Sequence, residues 1–256
     1  AGFTRKRPAA PRRSRSSDQR RRPARSASIS SEYLEERVLL AAASLSGMTL
    51  NVVDSGTEAN AITMSVSGQD LLIHDSANAL SGDASFTAVD SNTVSIPLAS
   101  VNAASFMLGG GDDSLTLDFA NGSPLLNLGI TYDGETNSTV GDSLSLINVG
   151  ILFPTHTYDF TSANDGSITL NDGVTDFSIG YVGLEPISND GSATDIVFNL
   201  PAGNNGDVVL NDSASAITGS MLLSGSTFEN TTFSSAAATS LTINGKSGDD
   251  TITVAG

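Results

Sequence analysis

The chain contains no cysteine and no tryptophan, and only 5% of its residues are aromatic. Without cysteine there is neither a disulfide framework nor a thiolate metal site. Without tryptophan and with few rings, a core has to be assembled from short aliphatic side chains. Basic residues are also missing from most of the chain: of the 12 lysines and arginines, only Lys246 lies beyond Arg37. A segment with one base cannot neutralise a run of phosphates, which excludes nucleic acid as a partner of that segment. Long apolar runs are absent too. The run from Val38 to Ala43 is six residues, far below the roughly 20 needed for a membrane-spanning helix. No transmembrane segment is therefore expected.

What is present is divided sharply by charge. Residues 1–37 carry 11 basic and 4 acidic side chains, a net of +7, whereas residues 38–256 carry 1 basic and 24 acidic ones, a net of −23. Residues 1–31 are rich in Arg, Ser, Pro and Ala. So little apolar surface cannot offset the entropy of ordering, and a disordered basic tail is expected there. The acidic remainder, residues 44–256, reads as a β-repeat region that attracts divalent cations and basic partners. The first residue is alanine, and the last residues run out of a repeat motif. The chain is accordingly expected to be a piece of a longer protein.

Short alternating segments recur along the acidic region. Examples are 48–53, 114–119, 143–147, 167–170, 176–182, 194–200 and 240–244. Alternation of apolar and small polar residues is the pattern of strands with one buried face. Asn164-Asp165-Gly166, Asn171-Asp172-Gly173 and Asn189-Asp190-Gly191 stand between them. These residue types tolerate the positive φ that tight turns need. The fold class expected is all-β. A right-handed parallel β-helix or solenoid-like repeat fits best, and tandem antiparallel β-sandwich domains are the alternative.

The region also repeats itself at an offset of 137 residues. Residues 71–80 align with 208–217, and residues 106–117 with 243–254, so that Asp75 falls on Asp212 and Gly111-Asp112-Asp113 on Gly248-Asp249-Asp250. One full unit then runs from about 72 to 208, and the next starts at 209.

Two resemblances follow. Around the charge boundary, residues 32–43 contain Leu34, Glu35, Arg37, Leu39 and Leu40 in the order Leu-Glu-x-Arg-x-Leu-Leu. This resembles the LEPR-XLL element of planctomycete surface proteins, with Glu36 in place of the proline. The resemblance implies a sorting or anchoring element, export, and an extracellular or cell-envelope location. By its residues alone, the stretch reads as a short amphipathic helix. Gly141-Asp142-Ser143-Leu144, Gly183-Leu184-Glu185-Pro186-Ile187 and 241–252 are similar, in that order, to the long repeats of giant surface proteins from the same bacteria.

The Gly-x-Gly-Asp-Asp stretches are distantly similar to calcium-binding nonapeptide repeats. The similarity implies Ca²⁺ ligands at Asp112, Asp113, Asp249 and Asp250, assisted by the backbone of Gly111 and Gly248. Carboxylate and carbonyl oxygens suit that ion. A nonapeptide site is built between stacked repeats, however, and each motif here stands alone in the sequence. A tight turn with solvated carboxylates is the competing expectation.

Enzyme signals are weak. There is no Gly-x-Ser-x-Gly elbow, His-Glu-x-x-His pair or P-loop. His74 is replaced by Asn211 at the repeat offset. The function expected is a non-enzymatic structural or adhesive component of a bacterial surface or matrix, calcium-stabilised and bound to envelope components. A carbohydrate-active hydrolase or lyase on a β-helix, with Asp112 and Asp113 as paired carboxylates, and a protein-binding scaffold are the alternatives.

Overall fold

Every alternating segment singled out above falls on a strand in the computed structural model, which describes Gly2 and residues 41–136, 140–217 and 219–255. The basic tail 1–31 and the sorting residues Leu34, Glu35, Arg37, Leu39 and Leu40 lie outside the described residues. The all-β class is what the chain adopts. Its strands form two large mixed sheets, one of ten strands and one of eleven.

The chain path explains the mixture. In the first sheet, β1 (Ala41–Ser46) and β2 (Thr49–Val53) make an antiparallel hairpin. The chain crosses to the second sheet for β3 (Ala61–Ser67) and β4 (Asp70–Asp75), a second hairpin. Three short pieces follow. β5 (Leu80–Gly82) edges the first sheet beside β1, while β6 (Thr87–Ala88) and β7 (Thr93–Pro97) edge the second beside β4.

From here the chain alternates between sheets. β8 (Ala103–Met107) lies parallel to β2, and β9 (Ser114–Asp118) parallel to β3. β10 (Ile130–Asp133) then stacks on β8, and β11 (Asp142–Ile147) on β9, both parallel. Each such pair, one strand in each sheet joined by a turn, is a rung.

Two antiparallel meanders interrupt the alternation. In the first sheet, β12 (Leu152–Phe160), β13 (Gly166–Asn171) and β14 (Asp176–Val182) fold back so that β14 returns parallel to β10. Rungs resume with β15 (Leu184–Asn189) on β11 and β16 (Ser192–Asn199) on β12. The same device then appears in the second sheet. β17 (Val208–Asp212), β18 (Ser220–Ser224) and β19 (Thr231–Ser234) fold back so that β19 lies parallel to β15. A last rung, β20 (Ser240–Asn244) on β16 and β21 (Ile252–Val254) on β17, ends the stack.

Alternation does its expected work. In β3, β9 and β11 every second residue is buried, and the inward residues of both sheets join one apolar cluster. The few rings are concentrated in it. Phe198 stacks on Tyr158 at 4.7 Å and meets Phe233 edge-on at 5.0 Å. The Tyr158 hydroxyl accepts a hydrogen bond from Asn189 Nδ2 at 2.9 Å, so its burial leaves no unmet group.

The sequence repeat is only partly a structural one. β8–β9 and β20–β21 correspond and are both rungs. β4 and β17 also correspond, yet β4 pairs antiparallel with β3 and β7, whereas β17 is parallel to β21 and antiparallel to β18.

Candidate functional site

The turns that carry the chain from the first sheet to the second are stacked on one another, and the aspartates sit in them. Gly110 N–H donates to Gly56 O at 3.0 Å, and Gly111 N–H to Thr136 O at 3.0 Å. The turn after β8 is thus held between the turns after β2 and β10. The structure supplies neighbours to a Gly-Asp-Asp motif that stands alone in the sequence.

The carboxylates point into this stack. Asp113 is 1% exposed, and its Oδ1 accepts the backbone N–H of Asn60, one rung back, at 2.6 Å. Asp142 is fully buried, and its Oδ1 accepts the N–H of Asp113 at 2.6 Å. In the last rung Asp250 Oδ1 accepts both the backbone N–H and the side-chain amide of Asn205, at 3.1 and 2.8 Å. The rule is common to three rungs: an aspartate at the start of the second-sheet strand caps the equivalent amide of the rung before. Charge-assisted bonds of this kind are among the stronger ones. Asp112 Oδ1 accepts the N–H groups of Val140 and Gly141 at 3.2 Å each, and the Asp249 N–H donates to Asn204 Oδ1 at 3.0 Å.

Placing these groups inside has an electrostatic cost. Burial pushes Asp113 up to about 6, against the lowering effect of the Asn60 amide and with the charges of Asp142 and Asp54 adding to the rise. Burial also pushes Asp142 up to about 6, opposed by the Asp113 amide and assisted by Asp112, Asp133 and Glu185. Asp113 Oδ2, Asp142 Oδ2 and the Tyr132 hydroxyl are buried without a hydrogen-bond partner.

Asp112 and Asp113 therefore lie in one turn, Asp249 and Asp250 in another, each pair at its own rung. Among the described residues no three or more His, Asp or Glu side chains gather as a metal centre would require. Asp112, Asp113 and Asp250 each already hold an N–H with one oxygen. Arranged in this way, the carboxylates serve as amide caps between rungs. Gly111 and Gly248 take positive φ, 137° and 106°, and serve the turn geometry.

Asp142 was not among the expected ligands. Its signal was Gly141-Asp142-Ser143-Leu144, the same Gly-Asp-(Ser/Thr)-(Leu/Ile) frame as Gly111 to Leu115 with one aspartate fewer. Glu229 carried no signal at all. It is 3% exposed and lines a hollow of about 410 Å³ with Glu185, Pro186 and Asn230. Burial, with Glu185 adding, pushes it up to about 8. The histidines are structural. His74 Nδ1 meets Thr93 Oγ1 at 2.9 Å, and His156 is 1% exposed beside Phe153, its value held down to about 4 by burial.

Comparison with protein-family models, with curated proteins and with solved structures returns no match.

Proposed function

We propose that the chain is a non-enzymatic structural or adhesive component of a bacterial cell surface or secreted matrix. The observation that carries this reading is the use of the acidic turns. Asp113 and Asp142, charged groups that a catalyst would direct at a substrate, are here buried and hold one rung on the next, and the exposed Asp250 holds Asn205 in the same way. A solvent-facing surface of small polar residues and carboxylates, with Lys246 as the one base beyond Arg37, suits a protein kept apart from its neighbours by charge.

The location rests on the Leu34 to Leu40 element. Antibody against the β-region should label intact cells of the producing bacterium. Replacing Leu39 and Leu40 with Asp should move the protein out of the envelope fraction while its circular dichroism stays unchanged. Labelling only after permeabilisation, or an envelope signal indifferent to the double substitution, overturns the assignment.

Hydrolysis of a polysaccharide is a second reading with one observation in its favour. Glu229, protonated at neutral pH, shares a hollow with Glu185. A protonated acid beside a second carboxyl group is the pairing glycoside hydrolysis uses. If that pair is catalytic, the protein releases reducing ends from a surface polysaccharide, and Glu229→Gln lowers the rate by at least about a hundredfold. Equal rates for the two proteins remove this reading.

A further inference from the structure

The connection between β18 and β19 is held against β15, and a hollow opens between them. Asn230 O accepts the Ile187 N–H at 3.0 Å, and the buried Thr231 hydroxyl donates to Glu229 O at 3.1 Å. Gly225 lets the chain pass close to the Phe228 ring, where a Cβ would lie 2.5 Å from Cε1. The hollow has a volume of about 410 Å³. Val140, Ala163, Pro186 and Phe228 give it apolar walls, and Glu185 and Glu229 give it two carboxyl groups.

Its polar groups are unbalanced. Glu185 acts on Glu229 as a like charge. Among the described residues Lys246 is the one lysine or arginine, and it is not among the groups that act on Glu229. The Tyr181 hydroxyl adds to the imbalance. Tyr181 is 3% exposed, its hydroxyl is buried without a hydrogen-bond partner, and of the charges around it Glu229 bears on it most, ahead of Asp165. One oxygen of each carboxyl group is already committed. Glu185 Oε1 accepts from Asn164 Nδ2, and Glu229 accepts the Asn230 N–H.

We infer that this hollow is a binding site for a lysine side chain of a protein partner, its ammonium between Glu185 and Glu229 and its aliphatic stem along Val140, Pro186 and Phe228. The inference rests on the adhesive reading of the chain and not on the hydrolytic one. The walls and the floor ask for different things, and a lysine supplies both: an apolar stem that packs and a compact charged head. A divalent cation takes six or more oxygens and draws nothing from apolar walls. A neutral sugar leaves the carboxyl charge unanswered. A guanidinium prefers both oxygens of one carboxylate, whereas one oxygen on each side suits an ammonium, which donates in three directions. Binding also carries a proton signature. Glu229 holds its proton up to about pH 8, and an ammonium beside it favours the ionised form. A proton therefore leaves as the lysine enters, and affinity rises by about tenfold from pH 7 to pH 9, where the lysine is still charged.

The test is calorimetric titration of the full 256-residue chain with Nα-acetyl-lysine methylamide at constant ionic strength. The lysine derivative should bind at a single site and release protons at pH 7. The norleucine derivative, which has an apolar stem and no ammonium, should not bind, and the arginine derivative should bind at least about tenfold more weakly. Glu229→Gln should weaken lysine binding by at least about tenfold and abolish the proton release. Asp70→Asn, which removes an exposed charge from β4, should leave both unchanged. Equal binding of the norleucine derivative, equal effects of the two substitutions, affinity that falls from pH 7 to pH 9, or no binding at all overturns the proposal. Binding of n-pentylamine without binding of the lysine derivative assigns the hollow to free amines and overturns the protein partner. None of these outcomes moves the labelling of intact cells, so the surface location stands or falls separately.

Discussion

Acidification from pH 8 to pH 5 should raise the melting temperature of this protein. Most acidic proteins gain by losing repulsion, but here three named groups add a specific contribution. Asp113 and Asp142 are pushed from the ordinary 3.8 up to about 6, and Glu229 from 4.5 up to about 8. Between those values the folded state binds protons that the unfolded chain does not. Stability therefore falls as pH rises through 4 to 6 for the two aspartates and through 4.5 to 8 for the glutamate. His156 opposes them. Its value is depressed from 6.5 to about 4, so its contribution is present above 6.5 and is lost as pH falls below that. Asp83, Asp90, Asp172 and Asp207 are lowered by hydrogen bonds, and their contribution is lost only as pH falls below about 4.

A tenfold difference in proton affinity between the folded and unfolded chain is worth about 1.4 kcal/mol. The three raised groups outweigh His156 between pH 8 and 5, leaving a net gain on the order of a few kcal/mol. For a chain of this size that is about 10 °C. Two substitutions separate this from general charge relief. Asp142→Asn retains an Oδ1 for the Asp113 N–H and removes the buried charge. Glu229→Gln does the same in the hollow beside Glu185. Both should melt higher than the parent at pH 8, by several degrees, and match it at pH 5. Asp142→Ala, which leaves the Asp113 N–H without an acceptor, should melt lower at both. A parent protein that loses stability between pH 8 and 5, or an Asp142→Asn protein with the parent's slope, contradicts the electrostatic picture of the stacked turns.

Much of the strand content could be read directly, because apolar alternation sets which face is buried whatever the partner strand is. The segments at 114–119, 143–147 and 240–244 became β9, β11 and β20 for that reason. The same indifference hid the meanders. Alternation is identical in parallel and antiparallel strands, so nothing in it separates β13, which runs against its neighbours, from β11, which runs with them. The turn residues mark where a strand ends, but not which way the next one runs. Asn171-Asp172-Gly173 is the hairpin turn between β13 and β14, with Asp172 Oδ1 accepting the N–H groups of Val174 and Thr175 at 2.8 and 2.7 Å. Asn189-Asp190-Gly191 looks alike and does something else. It joins two sheets, with Asp190 holding the amides of Asn148 and Val149. The distinction depends on what lies across the turn, which is not local.

The candidate site shows the same boundary. Gly-Asp-Asp marked the turns but not the amides that their carboxylates hold. Whether a carboxylate faces solvent or an amide one rung back depends on the stacking register. That register is set by strands dozens of residues away. Asp142 became Asp113's partner only through the pairing of β9 with β11. Glu229 follows a buried phenylalanine, and a lone glutamate in that position has no pattern to betray it.

The stacked turns also make Gly111 a costly place to add a methyl group. Its φ is 137°, and a Cβ there would sit 2.9 Å from Ala59 N and 3.0 Å from Ala59 Cα. Both neighbours are backbone of the adjoining turn and cannot rotate away. Gly203 is the control: its φ is 115°, and a Cβ there meets nothing within 4 Å. Gly203→Ala should cost only the backbone strain, about 1–3 kcal/mol. Gly111→Ala should cost that plus the displacement of one turn from the next, about 3–5 kcal/mol in all. Urea unfolding of the two proteins measures the difference directly. The same melts decide what the aspartates are for. If the turns are held by amide capping, Ca²⁺ and Mg²⁺ at equal ionic strength raise the melting temperature of the parent equally, and neither restores Gly111→Ala. If the turn instead closes around a cation, Ca²⁺ alone stabilises the parent at concentrations too low to screen, and Asp113→Asn abolishes that increment. A Gly111→Ala protein as stable as Gly203→Ala shows that the turns are not in contact, and the capped stack falls with it.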